Sequence, residues 1–147
     1  MAELINQEQS LTSAEIDDFQ QMFCRELPDS FKSYYMRCNG GFPSEQDAEQ
    51  GMWGLPVNGF YSIKYGKMAI ESLIDEYGDI TPGDTKFGSW RKFCYVPFAY
   101  DSGGNPIFIS LRDDDGGSIY LYAQDGENIF LIAPSFDEFR ARLYKEK

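Results

Sequence analysis

Residues 93–133 read FCYVPFAYDSGGNPIFISLRDDDGGSIYLYAQDGENIFLIA. Short apolar segments alternate here with polar, glycine-containing turns. Ile107, Ile109 and Leu111 occupy every second position, the period of a strand whose two faces differ. Four such segments joined by short turns predict an antiparallel meander, and this meander decides the fold class. The predicted strands are residues 93–100, 107–111, 119–122 and 128–133.

Helical patterns lie on both sides of the meander. The first helix is predicted to begin at Thr12, because Thr12 and Glu15 have the spacing of a capping box. Pro28 suits the first position of a second helix, where its missing N–H is not needed. Asn39-Gly40-Gly41 ends that helix with residues that tolerate positive φ. The remaining predicted elements are a short strand at residues 60–65, a helix at 68–77 and a final helix capped by Ser135.

These elements predict an α+β protein with N-terminal helices, a mainly antiparallel sheet in the second half and a C-terminal helix. The chain has 147 residues and shows no repeat, low-complexity tract or linker, so residues 1–147 are expected to form a single domain. The residues predicted to be buried are Phe31, Tyr34, Ile107, Ile109, Ile119, Leu121 and Phe139.

The composition is acidic, with 24 acids, 13 bases, no histidine and a formal net charge of −11. Such a surface repels phosphate backbones, so the chain is not expected to bind nucleic acid. It suits a basic protein partner, and solubility alone is the alternative explanation. The amino terminus lacks the pattern of a signal peptide, and no apolar run is long enough to span a membrane. A cytoplasmic location without membrane contact is therefore expected.

The three cysteines are odd in number and have no CxxC spacing. In a chain that can build its own core, Cys24, Cys38 and Cys94 are expected to be buried, reduced thiols that contribute to packing.

Residues suited to catalysis are scarce. Histidine, the usual base for a nucleophile and the commonest metal ligand, is absent. No phosphate-binding glycine motif occurs. The sequence therefore predicts no catalytic residue, no metal and no cofactor. A carboxylate pair could hydrolyse glycosides, but 24 acids make some such pair inevitable. Residues 101–105, DSGGN, could form a ligand loop, although a structural turn is the favoured interpretation.

Acidic residues concentrate in windows without lysine or arginine. Asp113, Asp114 and Asp115 could hold a cation, but a solvated hairpin turn is favoured because the spacing of a calcium loop is missing. Acidic loops near aromatic side chains are suitable for a protein interface. For Trp53 and Trp90, packing in the core is the favoured interpretation, and contact with a partner is the alternative. The predicted partner-binding residues are Glu45, Asp47, Glu49, Trp53, Asp113, Asp114 and Asp115.

Three segments also share the order and spacing of a known family. They are Leu27-Pro28 with Phe31, Tyr34, Tyr35 and Asn39-Gly40-Gly41; Val96-Pro97-Phe98-Ala99 with Asp101, Gly103-Gly104-Asn105 and the strand 107–111; and the closing strand with Ala133, Ser135-Phe136 and Glu138-Phe139. Together they make the chain resemble the SUKH superfamily, which includes fungal Smi/Knr cell-wall synthesis regulators and many bacterial immunity proteins.

The resemblance implies a mixed α+β domain with a strongly bent sheet. It also implies a non-enzymatic immunity protein that occludes a cognate toxin in the cytosol, the toxin often being a nuclease or a deaminase. A non-catalytic regulatory or scaffolding module of the same fold is the alternative. Toxin-contacting positions vary within the family, so the resemblance assigns no interface residue, and Asp101 and its loop are interpreted as structural.

Overall fold

The computed structural model describes residues 4–43 and 57–143. Within these residues, four helices accompany a five-stranded sheet, which confirms the predicted α+β class. The helices are α1 (Ser13–Gln20), α2 (Asp29–Arg37), α3 (Ile70–Tyr77) and α4 (Phe136–Leu143). The strands are β1 (Leu4–Ile5), β2 (Phe42–Pro43), β3 (Gly59–Phe60), β4 (Tyr95–Tyr100), β5 (Pro106–Ser110), β6 (Ile119–Ala123) and β7 (Asn128–Ala133).

The large sheet has the strand order β3-β4-β5-β6-β7, with every neighbouring pair antiparallel. The predicted meander is therefore confirmed. The register shifts at two places. Between Pro97 and Ala99, β4 has one residue more than β5. Opposite Ile119 and Tyr120, β7 has one residue more than β6. Such bulges increase the local twist of a sheet. The small strands β1 and β2 form a separate antiparallel pair.

One face of the sheet packs against helices. Phe98 of β4 contacts Phe31 of α2 and Phe139 of α4, with ring centroids 6.1 Å and 5.1 Å apart. Strand residues Ile107 and Ile109 join the same buried cluster. All seven residues predicted to be buried are buried, because the two-residue period in the strands and the helical spacing in α2 and α4 turn their apolar positions toward one interior.

The other face of the sheet is covered by a loop. Ile80 and Trp90 pair with each other through two backbone hydrogen bonds and pack onto Phe108 and Tyr120. Trp90 is buried, so the interpretation of this tryptophan as a core residue is confirmed. The sheet therefore has apolar cover on both faces.

The helix caps follow the sequence closely. Thr12 and Glu15 form the predicted capping box, and Ser135 accepts the N–H of Glu138 at the start of α4. Gly78 ends α3 as predicted. Pro28 lies at the N-cap, one residue before the position that the sequence indicated.

The predicted strand at residues 60–65 is wrong beyond Phe60. The side chain of Asn39 binds both backbone groups of Ile63: Oδ1 accepts its N–H at 2.7 Å, and Nδ2 donates to its carbonyl at 3.0 Å. The backbone groups of Ile63 thus pair with an amide instead of a neighbouring strand. Lys64 and Gly66 then take positive φ values of 66° and 94°, which turn the chain toward α3.

Asn39 is a buried junction between three segments. Besides its bonds to Ile63, Nδ2 donates to the carbonyl of Gln9 at 2.8 Å, and Asn39 is almost fully buried. Gly40 follows at φ 79° with the backbone of residues 61–62 packed against it, so a side chain there would collide with main-chain atoms. The Asn-Gly-Gly sequence therefore ends a helix and anchors the segment that enters the sheet.

Replacing Asn39 with alanine should lower the free energy of unfolding by about 3 kcal/mol, because buried backbone groups of Ile63 and Gln9 lose their partners. Urea denaturation followed by tryptophan fluorescence measures the change. The matched control is Asn58→Ala, which alters an exposed asparagine and should change stability by less than about 0.5 kcal/mol. Equal losses of stability in the two variants would contradict the role of Asn39 in joining the three segments.

The prediction of three buried, reduced thiols is wrong. Cys24 is exposed in the turn after α1 and forms a disulfide with Cys94, their Cα atoms being 5.3 Å apart. The N–H of Cys24 donates to the carbonyl of Phe93 at 3.0 Å, which brings the two cysteines together. Cys38 is half-buried and is not part of this bridge. Sequence spacing could not indicate this pair, because tertiary contacts join residues 70 positions apart.

The disulfide predicts that oxidised protein has a mass 2 Da below that of the fully reduced chain, from the loss of two hydrogens. Replacing Cys24 and Cys94 with serine should remove about 2–4 kcal/mol of stability under oxidising conditions, since the bridge closes a long loop in the unfolded chain. Intact-mass spectrometry and urea denaturation test both statements. Cys38→Ser should leave the mass difference intact, and an unchanged mass in its oxidised form would contradict the pairing.

Candidate interaction surface

The predicted acidic turn lies between β5 and β6, where residues 113–117 form a turn as expected. Its three carboxylates differ in exposure. The side chains of Asp113 and Asp114 are 92% and 85% exposed, whereas that of Asp115 is 16% exposed. The sequence presents three equivalent acids, and the fold offers two of them to solvent.

Asp115 is held inside the protein by three neighbours. Ser110 Oγ and Tyr120 Oη each donate to its carboxylate at 2.6 Å, and Arg112 Nε donates at 3.0 Å. Partial burial opposes the charge, but these hydrogen bonds outweigh it and hold the pKa of Asp115 below its ordinary value. Burial and the bond to Asp115 raise the pKa of Tyr120 to about 12.

The same network reaches the core of the second sheet face. Trp90 Nε1 donates to Ser110 Oγ at 2.9 Å, and the Arg112 guanidinium stacks 4.0 Å from the centroid of the Trp90 ring. Arg112 also donates to the carbonyls of Phe87 and Ser89. Asp115 therefore fixes the arginine that fastens the covering loop to the sheet.

Two arginines reduce the negative charge of the turn. Arg25 forms an ion pair with Asp113, and Arg112 lies 3.9 Å from Asp114 while it binds Asp115. Three carboxylates thus meet two guanidiniums. The turn attracts a basic partner less strongly than its three aspartates alone indicate.

The other predicted partner-binding residues, Glu45, Asp47, Glu49 and Trp53, lie outside the described residues. The loop at residues 101–105 is a structural turn: the carboxylate of Asp101 accepts the N–H of Gly103 and the N–H and side-chain amide of Asn105. Asn105 Oδ1 also accepts the N–H of Gln124 at 3.0 Å, so Asp101 and Asn105 bind groups of the chain itself, which agrees with the structural interpretation.

Among the described residues, Glu15 has a carboxyl group with a strongly lowered pKa. Bonds from Lys64 at 2.8 Å, from Tyr65 and from the backbone of Thr12 lower the pKa of Glu15 to about 2. A general acid at neutral pH needs the opposite shift. Glu15 and Asp115 are therefore both unsuited to that role. In the part of the chain that the structure describes, no group of three acidic or cysteine side chains could hold a metal ion.

A model of the SMI1 / KNR4 family (SUKH-1) matches residues 10–142. The chain belongs to this family. The match spans α1 through most of α4 and includes all three segments that carried the resemblance. No curated protein matches the chain. SUKH-1 membership is consistent with an immunity-type protein that binds a protein partner.

The structure gives the SUKH-1 segments physical roles. Tyr35 Oη lies 2.8 Å from the carbonyl of Tyr61 and 3.1 Å from that of Phe98, so α2 is bound both to β4 and to the residue that follows β3. Asn39 anchors Ile63, and Asp101 closes the turn between β4 and β5. These matched residues build the scaffold.

Among the helices of the described residues, none has the length and hydropathy required to cross a bilayer.

Sequence reasoning missed one exposed apolar feature. Phe130 and Leu131 of β7 are each 51% exposed, although their segment was correctly predicted as a strand. The position could have indicated this exposure, because the last strand of a meander has a neighbour on one side only.

The Asp115 network predicts a pH-dependent difference between variants. Asp115→Asn should lower the free energy of unfolding at pH 7 by about 2 kcal/mol, because Arg112 loses its charged partner. The folded-state pKa is lowered, so this contribution is present above the ordinary pKa of 3.8 and is lost as pH falls below it. Denaturation at pH 7 and pH 3 measures whether the free energies of unfolding of the unmodified chain and Asp115→Asn converge at the lower pH. Asp114→Asn is the control, and a similar loss there would contradict the network.

Proposed function

We propose that this chain is a cytoplasmic immunity protein that binds a cognate toxin and neutralises it by covering its surface, without catalysis of its own. The observation that carries the proposal is the SUKH-1 match across residues 10–142. The net charge of −11 supports a basic partner, since opposite charge accelerates encounter and excludes like-charged competitors. A toxin that acts on nucleic acid has the required basic surface.

The mechanism is occlusion assisted by electrostatic steering. Exposed Asp113 and Asp114 are available for a partner, and we propose Glu45, Asp47, Glu49 and Trp53 as further contacts. Charge at the rim of the contact accelerates association, whereas the desolvated centre controls dissociation. Asp115 supports the turn from inside, and we assign it a positioning role.

The proposal predicts that a toxin domain is encoded beside the gene, and the test expresses such a domain with and without this chain. Co-expression should restore growth, and the purified proteins should form a stoichiometric complex. A regulatory or scaffolding protein would give no protection. Loss of protection combined with absence of a complex would contradict the proposed function.

Steering predicts that association with this toxin slows at least tenfold as salt reduces the Debye length from about 10 Å to about 3 Å. The double reversal Asp113→Lys/Asp114→Lys should lower the association rate at low salt and should leave the fold intact, because both side chains are exposed. Stopped-flow fluorescence measures the rates. Asp29→Lys, at an exposed acid of α2, is the matched control. An association rate independent of salt would assign the acidity to solubility.

A further inference from the structure

The two edges of the large sheet differ. At the β3 edge, Gly41 and Phe60 exchange two backbone hydrogen bonds, of 3.1 Å and 2.7 Å, which closes that edge. β7 forms the opposite edge, and among the described residues it pairs with β6 alone. An open edge strand presents backbone donors and acceptors that another chain can use.

The outward groups of β7 can be identified from its contacts. The N–H of Ile129 faces Asp84 Oδ2 at 3.4 Å, so Ile129 points away from β6. Leu131 lies two residues further and opposite Tyr120, so its N–H and carbonyl point the same way. No group outside the sheet, within residues 4–43 and 57–143, bonds to Leu131. The carbonyl of Ile132 accepts from Arg142 at 2.6 Å, which ends the open stretch.

The exposed apolar side chains lie on opposite faces of this edge. Phe130 is opposite Leu121, which belongs to the helix-covered face, and Leu131 is opposite Tyr120, which belongs to the loop-covered face. A flat surface laid on either face contacts one of the two exposed side chains. A strand added beside β7 contacts both, because its own side chains alternate between the same two faces.

Charge indicates which segment fits. Asp84, Asp125 and Glu127 lie at the start of β7, where the N–H of Asp84 donates to the carbonyl of Glu127 at 3.0 Å. Within the described residues, these three carboxylates form no ion pair. A second copy of the chain would bring another charge of −11 to this edge. A lysine- or arginine-bearing segment is attracted instead.

We infer that β7 is a docking edge for an extended segment of a basic partner protein, which adds as a strand beside Leu131 and packs apolar side chains on Phe130 and Leu131. In identifying that partner as the toxin, the inference rests on the proposed function. That a basic segment docks at β7 does not depend on which toxin the chain binds.

The first experiment titrates purified protein with a seven-residue peptide of three central valines flanked by two lysines on each side, followed by amide NMR. Adjacent valines point to opposite faces of an added strand and can reach both Phe130 and Leu131. Chemical-shift changes should concentrate in β7, and hydrogen exchange at the Leu131 amide should slow at least tenfold at saturation. The same peptide with glutamate in place of each lysine should bind at least tenfold more weakly. Absence of peptide-dependent change at residues 128–133 would overturn the inference.

Two variants of Leu131 and one control variant separate docking from general effects on the protein. Leu131→Lys should weaken peptide binding at least tenfold, because it removes an apolar contact and adds a like charge. Met68→Lys makes the same charge change at a side chain of the same 51% exposure and should alter binding less than twofold. Leu131→Pro removes the outward N–H without changing charge and should also prevent binding. Equal binding by Leu131→Lys and Met68→Lys would overturn the inference.

The toxin experiment distinguishes this inference from the proposed function. Slower hydrogen exchange at the Leu131 amide in a complex with a toxin against which the chain protects supports both the inference and the proposed function. Protection with unchanged exchange at Leu131 retains the proposed function and overturns toxin docking at β7. Peptide binding at β7 without toxin protection supports the edge and contradicts the proposed function. A dimer in size-exclusion chromatography that Leu131→Lys dissolves would identify a second copy as the occupant and overturn the inference.

Discussion

The buried amide of Asn39 is the interaction on which the entry of the chain into the sheet depends. It binds both backbone groups of Ile63 and the carbonyl of Gln9, where regular strand pairing is absent. Since unpaired buried backbone groups are costly, this arrangement removes the need for a longer β3. One helical turn earlier, Tyr35 holds α2 against the carbonyls of Tyr61 and Phe98. Two side chains of one motif therefore determine where α2 meets the sheet.

The loop that covers the second face of the sheet is attached through a different polar side chain. The loop at residues 79–90 has no helix to stiffen it, and its attachment rests on Arg112, which binds the loop carbonyls of Phe87 and Ser89 and stacks on Trp90. Asp115 neutralises and orients that arginine. The fold thus uses the charge of an acidic residue counted in the sequence to attach its own covering loop.

The sequence predicted those features that depend on neighbouring residues. Helix caps at Thr12 and Ser135 depend on residues within one turn, and the strand period around Ile107 reflects a sheet with two different faces. The missed features depend on distant partners. The Cys24–Cys94 disulfide and the burial of Asp115 arise where separate segments converge, and neither spacing nor composition contains that geometry. The shortened β3 has the same origin, because Asn39 replaces its ladder from 24 positions away.

The way the sheet is covered limits how this fold can bind a protein. Helices occupy one face, the 79–90 loop occupies the other, and Gly41 closes the β3 edge, so the apolar residues of the sheet interior are committed to the core. Within the described residues, the sheet can therefore offer a partner its turns, such as 113–114, and the remaining edge at β7. Backbone pairing at an edge tolerates many partner sequences, since every residue except proline offers the same donor and acceptor. Selectivity has to come from flanking side chains such as that of Glu127, which is exposed and belongs to neither hydrophobic cluster. A scaffold organised in this way can change partners through its surface while Asn39, Tyr35 and Asp115 keep the fold constant.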